Sequence, residues 1–281
     1  MGKNKSTSGR FKKSLIENCA LVRVGMMLRK KGVASRGIYS YGTRKTYIIK
    51  CCAFVKWAKE NYGCRTLLEA RKYVDAYLQH LMDSKYSPYS QKIIASALAK
   101  LYDCSSKDFI PTQVRRRADI TRSREGKAIF SESRNSEFVD FCKATGLRRH
   151  EIKNLKPENL RFDEATGKYM LVNIKGKGGR LRACPILSDR AIERIKNTIA
   201  GQRVWGKIPS RADIHSYRAD YCRAIYDLHA RPLAEIPKSD RYYCRGDLKG
   251  VVYDKRAMKI ASLALGHNRI SVIAGHYLYG R

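Results

Sequence analysis

Helical periodicity runs through the first hundred residues and then breaks. Residues 107–126 carry Pro111, the triplet Arg115-Arg116-Arg117 and several further arginines, with little helical period. A stretch that has no apolar face to bury joins folded units more naturally than it lies inside one. At 281 residues the chain is also long for one core, because single cores tend to stop growing near this size. Two domains are expected. The organisation reads as a basic N-terminal segment 1–36, a helical domain 37–106, a basic linker 107–126 and a second domain 127–281.

The first domain is predicted to be all-α. Residues 43–62 place Tyr47, Ile48, Cys51, Phe54, Val55 and Ala58 at helical spacing, and 66–82 repeat the pattern with Leu67, Leu68, Ala70, Val74, Tyr77, Leu78 and Leu81. A further helix runs through Ile93, Ala97, Leu98 and Leu101, with Ser87 or Ser90 as its cap. The run from Phe11 to Leu28 in the basic segment is compatible with another helix of untidy period.

The second domain is mixed. A helix is expected over 131–145, capped by Ser131 or Ser133 and stopped by Gly146. A short one over 148–155 ends before Pro157. Residues 169–175 and 180–186 alternate like two strands about the turn Gly176-Lys177-Gly178-Gly179. Helices return at 188–199, 215–228 and 254–265, with an added hairpin placed in 232–253. The predicted class is therefore α+β: mainly α with a small antiparallel sheet.

Lys and Arg number 58 against 25 Asp and Glu, a net charge of +33. A folded body with that charge repels itself, and a polyanionic partner relieves the repulsion. Nothing approaches the ~20 apolar residues of a membrane span, and no secretion signal is seen, so a cytoplasmic, nucleoid-associated location is expected. The nine cysteines are scattered, with no C-x-x-C pair. They are expected to be reduced buried thiols, and no metal or cofactor site is predicted.

Four segments in the second half carry chemistry. They are Ala144-Thr145-Gly146-Leu147-Arg148-Arg149-His150-Glu151-Ile152, Lys175-Gly176-Lys177-Gly178-Gly179-Arg180, His215-Ser216-Tyr217-Arg218, and Leu265-Gly266-His267 followed by His276-Tyr277-Leu278. Each alone has an ordinary reading as a surface pair, a hairpin tip or a helix cap. Together they hold the parts needed to cut and rejoin a phosphodiester. Two guanidiniums can grip the non-bridging oxygens with forked hydrogen bonds, which lysine cannot match. A tyrosine can hold the cut end covalently, a lysine at a turn can protonate the leaving oxygen, and a histidine can carry the tyrosine's proton. Fixed cations can supply the electrostatic stabilisation.

On these segments the chain resembles the tyrosine recombinases, the family of phage integrases, Xer-type recombinases and integrases of conjugative transposons. The resemblance implies a catalytic domain in which Arg148 and Arg218 hold the phosphate and Lys177 is the general acid. It likewise implies that His215 is the acid/base, that His267 donates a hydrogen bond to the phosphate, and that Tyr277 is the nucleophile. Glu151 matches the acidic residue that orients the site. The block through Thr43-Arg-Lys-Thr-Tyr and Ser87-Pro-Tyr-Ser-Gln resembles the family's helical core-binding (SAM-like) domain, which clamps DNA from the other face. Double-stranded DNA, a homotetramer on two DNA sites, and accessory DNA-bending or excision proteins are the implied partners.

The pattern departs from the family in three places. Ala219 follows the box arginine, residues 218–267 span a longer stretch than usual, and the interval from His267 to Tyr277 is one residue longer. Tyr279 therefore competes with Tyr277 for the role of nucleophile, with Tyr277 preferred, and Lys175 is a lesser rival to Lys177. The alternative functions are a type IB topoisomerase-like enzyme and a non-catalytic, sequence-specific DNA-binding protein.

Overall fold

In a computed structural model, which describes residues 14–26, 37–38, 40–116, 130–176 and 179–279, the chain divides into two compact units, Met1–Asp119 and Ile120–Arg281. Among the described residues the first unit carries the helices α1 Leu15–Met26, α2 Tyr41–Tyr62, α3 Leu67–Arg71, α4 Val74–Asp83 and α5 Pro88–Leu101. Short polar caps set the boundaries. Ser40 Oγ accepts from the Thr43 amide at 3.0 Å, and Gly63, in the left-handed region at φ 66°, ends α2. Ser87, not Ser90, caps α5, accepting from the Ser90 amide at 3.2 Å. Phe54, Val55, Leu78, Leu81, Ile94, Leu98 and Leu101 form the core.

Three expectations need adjustment here. The single helix expected over 66–82 is two, α3 and α4, separated at Lys72-Tyr73, where the Tyr73 ring stacks on Tyr62 with centroids 3.9 Å apart. The basic N-terminal stretch contains α1, whose Ile16, Ala20 and Val24 are buried in the same core. The stretch read as linker is docked at its start. Phe109 is buried, the Ile110 amide donates to Asp75 Oδ1 at 3.0 Å, and the Gln113 amide donates to Gln91 Oε1 at 3.1 Å.

The second unit comprises α6 Ser136–Thr145, α7 Arg149–Asn154, β1 Leu160–Asp163, β2 Lys168–Lys175, β3 Leu181–Pro185, α8 Asp189–Lys196, α9 Ile214–His229, β4 Arg241–Tyr243, β5 Val252–Asp254, α10 Lys255–Ala264 and α11 Ile270–His276. The antiparallel sheet has the order β1-β2-β3, and β4 pairs with β5 in the region where an added hairpin was expected. α9 packs against α6 and α10, while α10 also meets β3 and α11. That arrangement brings one end of α10 to the middle of the unit.

Sequence reading overlooked β1 and α11. β1 has four residues and one partner strand, too short for a visible alternation. α11, Ile-Ser-Val-Ile-Ala-Gly-His, is rich in β-branched residues and glycine, which are poor helix formers. Burial of Ile273 and Ala274 holds it. α6 begins at Ser136, later than expected, because Ser133–Asn135 form a 3-10 turn in which Ser131 Oγ accepts from the Arg134 amide. None of the nine cysteines forms a disulfide. Six are buried, but Cys19 is exposed.

Candidate active site

Gly146 starts the site. It ends α6 at φ 57°, and a Cβ there would lie 2.2 Å from Tyr221 Cδ1, so no side chain fits. Leu147 then enters the core, and Arg148 adopts extended backbone as the N-cap residue of α7. This geometry turns Arg148 back onto Glu151. The Arg148 amide donates to Glu151 Oε2 and its Nη1 to Oε1, both at 2.8 Å.

The Glu151 side chain is fully buried, yet it is ionised. Burial pushes its carboxyl upward, but the Arg182 charge, the Arg148 amide, the hydrogen bond from Arg182 and the Arg148 charge outweigh it and hold the pKa at about 2. Arg182, on β3, donates through Nη2 to Glu151 Oε2 at 2.8 Å and through Nη1 to the Ala264 carbonyl.

α9 supplies the second half. Asp213 caps it, accepting from the Ser216 amide at 3.1 Å, and the i, i+3 spacing sets His215 and Arg218 on one face. Arg218 is only 2% exposed. It donates to the carbonyls of Gly146 and Leu265 and, through Nε, to the Tyr277 hydroxyl at 3.3 Å. Arg148 Nη2 reaches the same Leu265 carbonyl at 3.4 Å. The C-terminal carbonyls of a helix lack intrahelical donors and carry its negative dipole end. At the end of α10 these carbonyls gather three guanidiniums into one place.

Tyr277 is 4% exposed, and its hydroxyl lies 3.1 Å from His267 Nε2. Its ring stands 5.8 Å from that of His215, which is exposed at the start of α9. His267 is held neutral. Desolvation first, then the charges of Arg218, Arg148, Arg182 and His276, lower its pKa to about 4. Sequence reasoning assigned His267 to the phosphate, whereas here it meets the tyrosine. In the tautomer with Nε2 unprotonated it accepts the hydroxyl proton.

Of the residues predicted from sequence, Arg148, Glu151, Arg218, His267 and Tyr277 are thus joined by hydrogen bonds, with the His215 ring beside them. Lys177 lies outside the described residues. Its neighbour Gly176 borders the site, since a Cβ there would be 3.6 Å from Glu151 Oε1 and 3.7 Å from Arg148 Nη1. Lys175 is exposed at the end of β2, and Tyr279 is half-buried beyond the α11 terminus.

Sequence reasoning missed Arg182. A signal existed: β3 alternates with Leu181 and Ala183 exposed and Arg182 facing inward with Cys184. An arginine on the inward face of an otherwise apolar strand requires a buried anion or carbonyl. Among the described residues no cluster of three His, Cys, Asp or Glu side chains could hold a metal ion, and no helix is long and apolar enough to cross a membrane.

No family model matches the chain, and no curated protein matches its sequence. Solved structures do match. The Tn1549 transposon integrase, in complex with transposon right end DNA, gives a TM-score of 0.50 at 10% identity, covering 93% of this chain and 95% of that one. The XerH site-specific recombinase bound to difH substrate gives 0.41 at 13%, covering 94% of each chain. The XerA recombinase gives 0.32 at 14%, covering 93% of each. The likeness to the transposon integrase, over nearly the full length of both chains, shows the fold. This chain has the tyrosine recombinase fold, mainly α with small antiparallel sheets.

Proposed function

We propose that the protein is a site-specific DNA recombinase that cuts and rejoins duplex DNA through a 3′-phosphotyrosyl intermediate, integrating or excising a mobile element. One observation carries the reading: the Tyr277 hydroxyl is bonded at once to a buried arginine and to a neutral histidine, 3.3 Å from Arg218 Nε and 3.1 Å from His267 Nε2.

In the proposed reaction Arg148 and Arg218 turn their guanidiniums from the Leu265 carbonyl to the non-bridging oxygens of the scissile phosphate. Tyr277 Oη attacks phosphorus and its proton passes to a histidine, His215 in the family pattern, with His267 orienting the hydroxyl. The bond from phosphorus to the 5′ oxygen breaks, and that oxygen takes a proton from Lys177. The phosphate stays on the 3′ side, bound to Tyr277. Attack by the 5′ hydroxyl of a partner strand reverses each step and restores the tyrosine, so no external energy source is required. Arginine forks offset the charge that grows on the oxygens.

The +33 net charge suits a duplex. The helical unit is assigned to clamping DNA and the second unit to catalysis, with four copies acting on two sites. The reading is tested by incubating the full-length protein with a randomised pool of nicked duplexes and selecting adducts that survive denaturation. A selected duplex whose adduct disappears in Tyr277→Phe supports the assignment. No adduct in the wild-type protein, or one that persists in Tyr277→Phe, overturns it.

A further inference from the structure

Arg182 is the third guanidinium of the cluster, and no step of the proposed reaction uses it. Its side chain is only 6% exposed, against 23% for Arg148, and both of its Nη atoms are committed, to Glu151 and to the Ala264 carbonyl. Its Nε is buried without a hydrogen-bond partner among the described residues. A group so enclosed cannot turn toward a DNA phosphate without abandoning a buried carboxylate.

The surroundings are shaped for it. Gly266, at φ 68°, passes so close that a Cβ would lie 2.5 Å from Arg182 Cδ and 3.2 Å from its Nε. The glycine of the Leu265-Gly266-His267 segment therefore leaves the space through which Arg182 reaches the end of α10. On β2, Ile174 pairs with Arg182 just past a register shift, where Asn173 takes a positive φ of 56°. Such a bulge re-aims the strand's side chains.

We propose that Arg182 is a positioning residue of the strand-transfer site: by fastening the Glu151 carboxylate to the Ala264 carbonyl, it frees the Arg148 guanidinium to hold the scissile phosphate. The inference rests on the function proposed above. Charge makes the case. Glu151 is one buried anion, and it forms ion pairs with Arg148 and Arg182. If Arg148 were its sole counter-charge, the pair would hold that guanidinium, because an unpaired buried carboxylate is strongly unfavourable. With Arg182 neutralising Glu151, the three arginines less one glutamate leave two positive charges, those of Arg148 and Arg218, for the phosphate oxygens. Arg182 also joins three parts of the site: β3, the start of α7 and the end of α10.

The test uses the full-length protein and a nicked duplex selected as above, with single-turnover adduct formation as the readout. Arg182→Gln is expected to bind the duplex as the wild type does and to form adduct about 100-fold more slowly, the scale of a misplaced reacting group. Adding Glu151→Gln removes the anion that Arg182 neutralises and should restore most of the rate. In an Arg148→Ala background, Arg182→Gln should have little further effect. A merely structural arginine would show neither the rescue nor this dependence on Arg148. Arg182→Lys, which keeps the charge without the fork, serves if the glutamine variant does not fold, and is expected to fall between it and wild type. A folded Arg182 variant that forms adduct at the wild-type rate overturns the positioning role, as does a loss that is equal with and without Arg148. Absence of any wild-type adduct sinks the recombinase reading instead.

Discussion

The side chain of Arg218 donates from Nε to the hydroxyl of Tyr277 across 3.3 Å, within one chain and almost wholly out of solvent. Fifty-eight residues separate the two in sequence, and helix packing brings them together: α9 carries the arginine, and the tyrosine follows directly on α11. The candidate nucleophile thus already lies beside the arginine proposed to hold the phosphate, within the same chain.

Tyr277 and Tyr279 make opposite predictions. Tyr277→Phe should retain duplex binding and lose all covalent adduct, whereas Tyr279→Phe should form adduct readily. Mass spectrometry of the trapped peptide checks the assignment. A phosphonucleotide on Tyr279 would move the nucleophile.

Gly146→Ala should unfold the second unit early. Holding a non-glycine residue in the left-handed region costs roughly 1–2 kcal/mol, and the overlap with Tyr221 adds about 1–3 kcal/mol. A loss of about 3 kcal/mol lowers the melting temperature of a unit this size by about 10 °C. Calorimetry reads it, and a melt matching the wild type would contradict it.

Acid should weaken the second unit in two stages. His267 titrates near 6.5 when unfolded and at about 4 when folded. Between these values the unfolded chain binds the extra proton, so this contribution is complete above pH 6.5 and is lost as pH falls toward 4. Glu151 moves from 4.5 to about 2, so its contribution is complete above pH 4.5 and is lost as pH falls toward 2. The groups facing His267 are Arg148, Arg182, Arg218, His276 and the Tyr277 hydroxyl. Melting His267→Gln at pH 7, 5.5 and 4 should show a smaller decline than the wild type. Parallel declines would rule out a neutral His267.

Arg231→Ala should act on the site from a distance. Asp254 is fully buried, caps α10 by accepting from the Arg256 amide at 2.9 Å, and is gripped by Arg231 Nε at 2.7 Å and Nη2 at 2.8 Å. Removing the arginine leaves a buried carboxylate unpaired, which costs about 3 kcal/mol. Because the far end of α10 presents the Ala264 and Leu265 carbonyls, adduct formation should fall along with the melting temperature. In the double variant with Asp254→Asn, part of the stability should return.

Sequence determined what local physics can specify: a cap at Ser87 or Ser90, the stop at Gly146, most of the helices in their order, and the candidate groups Arg148, Glu151, Arg218, His267 and Tyr277. A cap, a turn or a periodic stripe depends on neighbours a few residues away, so it can be read along the chain. Tertiary structure alone decided which groups Arg182 meets, that Gly266 is small to let it pass, that His267 meets Tyr277, and that α11 is a helix at all. Each of these depends on which atoms lie across a packed interior. That proximity is created by burying α9, α10 and the sheet against one another, and no spacing within a single segment encodes it.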